Sequence, residues 1–252
     1  MLKELITAWG SYAKAHALIK KHQLWKWTLL PGIVYALLFM ISMYFFGKSA
    51  NAFIDWIWRF TRIDQWIESL ESSLIGFVFT VAGLMLWCLL MLFYFSLFKY
   101  VWLIVGSPVF AYLSEKTAEI ISGKTTPFSW SQLLQDFLRG IRLATRNALW
   151  QTVYTLSIIL LSFIPIVGWA TPVLALFIEC YYYGFSMLDY SAERKKLTAP
   201  ESVYFISNHK GLAIGNGMVF YAMHLLPVIG WILAPTYAVI AATISMEEAT
   251  KN

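Results

Sequence analysis

Few residues of this 252-residue chain have both the type and the position to do chemistry. Glu179 is the one acid within the apolar arms of an internal repeat, and an ionisable group at membrane depth is a functional candidate by default. Its structural alternative is a carboxylate turned into a polar zone and paired with an arginine. The four histidines, His16, His22, His209 and His224, do not pair at metal-ligand spacing, and His224 in an apolar arm reads as a hydrogen-bonded packing residue. Cys88 and Cys180 lie in apolar stretches and read as small buried hydrophobes. No phosphate loop, His-Glu-x-x-His, Gly-x-Ser-x-Gly or Cys-x-x-Cys occurs, so no enzyme, cofactor or metal is expected. What remains is anion handling. Short hydrophobic segments interrupted by Pro and Gly at matching places in two repeats point to a transport site. Helix N-termini offer N–H groups and a positive dipole end, and clustered Lys and Arg favour anion approach.

The elements that must position these groups belong to a membrane. The chain is 59% hydrophobic and 13% charged, against about 25% charged in soluble domains. That excludes a disordered chain, a disulfide scaffold and an ordinary soluble enzyme. The net charge of +5 sits beside apolar segments, which points to the inner membrane face and lipid contact, with no basic module for nucleic acid. The expected fold is all-α, with two long transmembrane helices, amphipathic interfacial helices and two short helical hairpins turned by Pro and Gly, within one membrane domain.

Residues 1–26 hold an amphipathic N-terminal helix, with Leu2, Leu5, Ile6, Trp9, Tyr12, Ala13, Leu18 and Ile19 against Lys3, Lys14, Lys20 and Lys21; it either lies on the membrane surface or packs on the protein. The start, Met1 to Ile6, lacks the features of a cleavable signal peptide. Residues 27–46 are uncharged and long enough for a first transmembrane helix, with the N-terminus inside. Residues 48–72, with Trp56, Trp58, Arg59, Arg62, Asp64, Trp66, Glu68 and Glu71, read as an outer interfacial helix. Residues 73–106 form a second, overlong transmembrane helix in which Lys99 snorkels toward the inner surface, and Ser107-Pro108 is expected to break it. Ser129 to Arg146 reads as an inner amphipathic helix.

Two hairpins follow, at 148–188 and 212–246, sharing Pro165-x-x-Gly168-Trp169 and Pro227-x-x-Gly230-Trp231 with a trailing Pro172 or Pro235. Their arms are at or below the usual minimum for a span, so they either cross tightly or turn back inside the membrane, the second being preferred. Gly211-x-x-x-Gly215-x-Gly217 is expected to pack helices closely, and Tyr181-Tyr182-Tyr183 to form an interfacial belt. The inner-outer charge bias is moderate, which leaves insertion in both orientations open.

Four motifs occur in a recognisable order: Leu29-Leu30-Pro31 after a basic stretch, Ser107-Pro108 with Leu113-Ser114-Glu115-Lys116, Leu188-Asp189-Tyr190, and Ala234-Pro235 with Ala241-Ala242-Thr243. In that order and spacing the chain resembles the CysZ-type sulfate permease family, which shares a domain with the etoposide-induced 2.4 proteins. The resemblance implies a multi-pass bacterial inner-membrane protein that admits sulfate for cysteine synthesis. It also implies long helices with two half-penetrating hairpins, and homo-oligomers whose subunits can be opposed in orientation. In that family the anion is held at the start of the first membrane helix by backbone N–H groups and paired arginines. The resemblance therefore places anion binding at Lys26, Trp27, Thr28, Leu29 and Leu30, with Trp25-Lys26 standing where the arginine pair would be. Glu115, Lys116 and Glu179 are the expected pore or vestibule residues. The expected partners are sulfate or a related oxyanion, the bilayer and further copies of the chain. The alternatives are a non-transporting membrane scaffold or assembly protein, and a pore for sulfite or thiosulfate.

Overall fold

The computed structural model describes residues 1–61, 73–123, 130–162, 164 and 167–250, and every regular element among them is helical. In chain order these are α1 (Leu2–Lys21), α2 (Trp25–Thr61), α3 (Ser73–Ser122), α4 (Trp130–Ser162), a 3-10 turn (Val167–Ala170), α5 (Thr171–Arg194), α6 (Ala199–Asn208), α7 (Lys210–His224) and α8 (Ile229–Ala249). Among the described residues, three stretches are long and apolar enough to cross a membrane: Trp25–Phe53, Ser96–Ser122 and Ile229–Ala249. Arg62, Asp64, Trp66, Glu68 and Glu71 of the expected outer helix lie outside the described residues, as does Pro165 of the first hairpin turn.

Among the described residues the helices are longer than the sequence pattern suggested. α2 carries its uncharged run straight into the polar segment, so residues 48–61 extend the first transmembrane helix and do not form a separate element. Likewise, the inner amphipathic helix and the first hairpin arm are one continuous α4. Most plainly, the expected break at Ser107-Pro108 is absent: α3 runs through Pro108. Proline removes the N–H that would bond the carbonyl four residues earlier. Here that carbonyl, on Ile104, accepts from the Ser107 hydroxyl at 2.9 Å, so the helix keeps its bonding while losing its proline donor.

α5, α7 and α8 form the centre of the core, and glycines permit it. Gly184 of α5 and Gly217 of α7 face each other's helices, and a Cβ added at either would come within about 2 Å of a carbonyl oxygen, of Ala213 and Cys180 respectively. Gly211 and Gly215 lie close to α1, where an added Cβ would come within 2.6 Å of Glu4 and 2.8 Å of Ala8 respectively, so the expected close packing of that motif is present. α1 lies against this core through Ala8, Ser11, Tyr12, Ala15 and Ile19, while Leu2, Ile6 and Trp9 stay exposed. Tyr183, expected in a surface belt, is instead 1% exposed and stacks on Phe220 at 3.5 Å between ring centres.

The second hairpin turns at a γ-turn. The Ile229 N–H donates to the Pro227 carbonyl at 2.7 Å around Val228, whose φ is +63°. The hairpin then docks on α2 near its tip. Tyr35 donates or accepts a 3.0 Å hydrogen bond with His224 Nε2, and Phe39 packs on Trp231. The first hairpin packs along α3 and α7. Between α5 and α6, Thr198 and Glu201 form a reciprocal capping box, and the Thr198 hydroxyl and backbone N–H both donate to Glu201 Oε2, which holds that carboxyl below its usual range.

Candidate functional site

α1 ends at a tight turn through Gln23, whose φ is +53°, and α2 starts from buried Leu24. The Leu24 carbonyl accepts the N–H groups of both Trp27 and Thr28 at 3.1 Å, and the Thr28 hydroxyl as well. The first helical residues, Trp25 and Lys26, are thus those whose N–H groups precede any intrahelical partner. Of the residues the resemblance singles out, Lys26 is exposed, Trp27 is 46% exposed, Thr28 is fully buried, Leu29 is exposed, and Leu30 continues the helix. The Trp27 ring rests on Tyr112 at 4.4 Å, so the start of α2 adjoins the α3 turn that carries Glu115 and Lys116. Lys116 pairs with Glu119 at 2.8 Å on the same helix. These residues therefore sit at one end of the α2–α3 pair, and Glu179 sits elsewhere.

Glu179 is the deepest charged residue of α5 in the body, 4% exposed, and its partner is Lys99 at 2.8 Å, not an arginine. Lys99 does not snorkel. It is 4% exposed and turned inward, because an opposite charge lies within reach of its stem. Two further groups converge on the same carboxylate. Gln151 of α4 donates from Nε2 to Oε1, and Tyr221 of α7 donates its hydroxyl to Oε2 at 2.9 Å. Tyr100 donates to Gln151 Oε1 at 2.7 Å, which fixes the amide so that its NH2 faces Glu179. Sequence reasoning named Glu179 and missed Lys99, Gln151, Tyr100 and Tyr221 as its neighbours. The usable signal was the complementarity of two lone opposite charges in otherwise apolar helices.

A second polar cluster closes the base of the first hairpin. Arg139 holds Asp189 through a two-pronged contact at 3.0 and 3.1 Å and reaches Glu193 at 3.5 Å, while Ser202 donates to Asp189. Beside it a cleft of about 340 Å³ opens between α3, α4 and α5, walled by Leu103, Ile104, Phe137 and Ile141 and bounded by Asp189 and Glu193. Its carboxylates make it a poor place for a dianion. Behind the cleft, Ser114, Ser191 and Thr243 form a ring of buried hydroxyls 3.0–3.3 Å apart. The ring thus joins residues from two of the four motifs, Ser114 from α3 and Thr243 from α8, through Ser191, the residue that follows the α5 motif. The described residues hold no group of three or more His, Cys, Asp or Glu fit for a metal ion.

Comparison with known proteins fits this architecture. Residues 11–235 match the family described as Sulfate transporter CysZ/Etoposide-induced protein 2.4. Proteins named sulfate transporter CysZ from Pseudomonas paraeruginosa and Pseudomonas aeruginosa are each 28% identical to the chain over 189 residues, covering 73% of it and 76% of the relative. One of the same name from Pseudomonas syringae is 25% identical over 188 residues, with 73% and 74% covered. With the match spanning most of its length, this chain belongs to the CysZ/etoposide-induced protein 2.4 family.

Proposed function

We propose that this protein is a multi-pass permease of the bacterial inner membrane that takes up sulfate for sulfur assimilation and cysteine synthesis. The observation that carries this reading is the kinship, over nearly three quarters of the chain, to proteins named sulfate transporter, with three helices among the described residues long and apolar enough to span a bilayer. Lys26 supplies the charge and the N–H groups at the start of α2 supply directed donors, in the arrangement that suits a tetrahedral anion. Trp25 replaces one arm of a basic pair, and a single ammonium grips less well than a guanidinium fork, so the entry site is weak and fast. Glu115 and Lys116 line the adjoining vestibule. The chain works as a homo-oligomer without catalysis.

The second hairpin reaches only partway into the membrane in this reading. Its second arm, Ile229–Ala249, is long and apolar enough to cross, but its first arm has only 15 residues, about 22 Å of helix against a hydrocarbon core of about 30 Å, and the shorter arm limits the depth. Its tip meets α2 at Tyr35 and Phe39, near the middle of the uncharged run 27–47. The tip residues are apolar and open, with Leu225 81% and Ile229 65% exposed, as suits contact with lipid tails. Uptake of radiolabelled sulfate into liposomes holding the purified protein tests the function. Saturable uptake that falls at least tenfold in Lys26→Glu is expected, and uptake equal to that of empty liposomes from folded, inserted protein defeats the proposal.

A further inference from the structure

The group at Glu179 is an oxyanion held in a cage made only of donors. The ammonium of Lys99 on α3, the amide NH2 of Gln151 on α4 and the hydroxyl of Tyr221 on α7 all point at one carboxylate carried on α5. Tyr100 locks the Gln151 amide in its donating orientation. A cation plus neutral N–H and O–H donors, held by different helices in a dry site, is the equipment for binding an oxyanion with acceptors on every side. Nothing in the cage is matched to a carboxylate in particular. As mere adhesive the pair has little to recommend it, since buried ion pairs are often no more stabilising than apolar residues of equal volume. The position also matters: this is the most deeply buried ion pair among the described residues, at the place where both hairpins meet α3. The cluster at Arg139 is different in kind, because there two acids share one guanidinium.

We propose that Lys99, Gln151 and Tyr221 form an internal oxyanion site, that Glu179 is its resident, tethered anion, and that a passing inorganic oxyanion takes its place by displacing the Glu179 side chain. The proposal rests on the permease reading for its physiological role and not for its chemistry. With the carboxylate in place the cage is filled and closed. With the carboxylate swung out, the Lys99 ammonium meets one negative charge of the travelling ion, and the neutral donors of Gln151 and Tyr221 share what remains.

Chemical rescue of the full-length protein tests this. Glu179→Ala empties the cage and leaves Lys99 without a counter-charge. The variant is purified and melted in sodium sulfate, sodium formate, sodium gluconate or acetamide, with the salts at equal ionic strength. Sulfate and formate are expected to raise its melting temperature in a concentration-dependent manner, well beyond any rise in the wild type, while bulky gluconate and uncharged acetamide do not. Adding Lys99→Met to Glu179→Ala should abolish the response. Should Glu179→Ala not fold in gluconate, the yield of folded protein becomes the readout, and roughly tenfold more is expected in sulfate. A variant that responds to sulfate and formate no more than the wild type, that keeps its response without Lys99, or that folds in none of the salts overturns the proposal. Sulfate uptake by the wild type is measured in parallel. Rescue without uptake leaves the cage standing and removes the permease, whereas uptake without rescue places the permeation path elsewhere.

Discussion

At the residue scale, the decisive contacts join lone polar groups that the apolar chain leaves nowhere else to go. Arg139 is the clearest case outside the cage. Its side chain is 16% exposed and serves Asp189 through two donors while reaching Glu193. Removing it strands buried carboxylates, so Arg139→Ala is expected to cost about 3 kcal/mol, read as a large fall in melting temperature in detergent. Arg139→Lys should recover only part of that loss, because one ammonium cannot reproduce the planar fork; full recovery would refute the two-pronged reading. Ser107 has a smaller, separate role. Its hydroxyl answers the Ile104 carbonyl that Pro108 leaves open. Ser107→Ala should therefore cost about 1–2 kcal/mol, and the loss should largely vanish in a Ser107→Ala, Pro108→Ala double variant, where a backbone N–H returns.

Elements are set here by close approach and by the turns between helices. Gly184 and Gly217 let α5 and α7 touch backbone to backbone, with no room for a side chain on either. Gly184→Val should collapse folded yield, and the same change at exposed Gly10, which meets nothing, should leave yield unaltered. The tip of the second hairpin is strained in the opposite sense. Val228 has a β-branched side chain in left-handed backbone at the centre of a γ-turn. Strain of this kind costs about 1–3 kcal/mol, more than the added freedom of glycine, so Val228→Gly is expected to raise stability by about 1 kcal/mol. A melting temperature unchanged or lowered would mean that lipid or a neighbouring subunit holds that turn.

For the whole molecule, the open question of depth becomes a measurement. α2 and α3 have 37 and 50 residues, about 55 and 75 Å of helix, so they run well past a hairpin whose tip touches α2 at Tyr35 and Phe39. A nitroxide at Leu225, placed in protein lacking Cys88 and Cys180, should relax strongly with oxygen and weakly with a water-soluble nickel complex in liposomes. One at Lys48, beyond the uncharged run of α2, should show the reverse. Strong nickel access at Leu225 would mean that the second hairpin crosses the bilayer completely.

Composition and patterning were enough to determine an all-helical membrane protein with an amphipathic first helix, because burial of apolar surface and satisfaction of the backbone in lipid depend on local sequence alone. Glu179 was legible for the same reason: a charge among apolar residues is conspicuous wherever the chain goes. Lys99 was visible as a lone opposite charge, but its pairing with Glu179 was not legible. Periodicity gave Lys99 a route to the surface, and only the packing of α3 against both hairpins showed that Glu179, Gln151 and Tyr221, from three other helices, were nearer than water. The helix through Pro108 also escaped the sequence rule, since the rule counts the lost N–H and the rescue comes from the hydroxyl of Ser107. Local chemistry decided what the elements are; where their rare polar groups discharge their bonding was decided by residues far apart in the chain, brought together only in three dimensions.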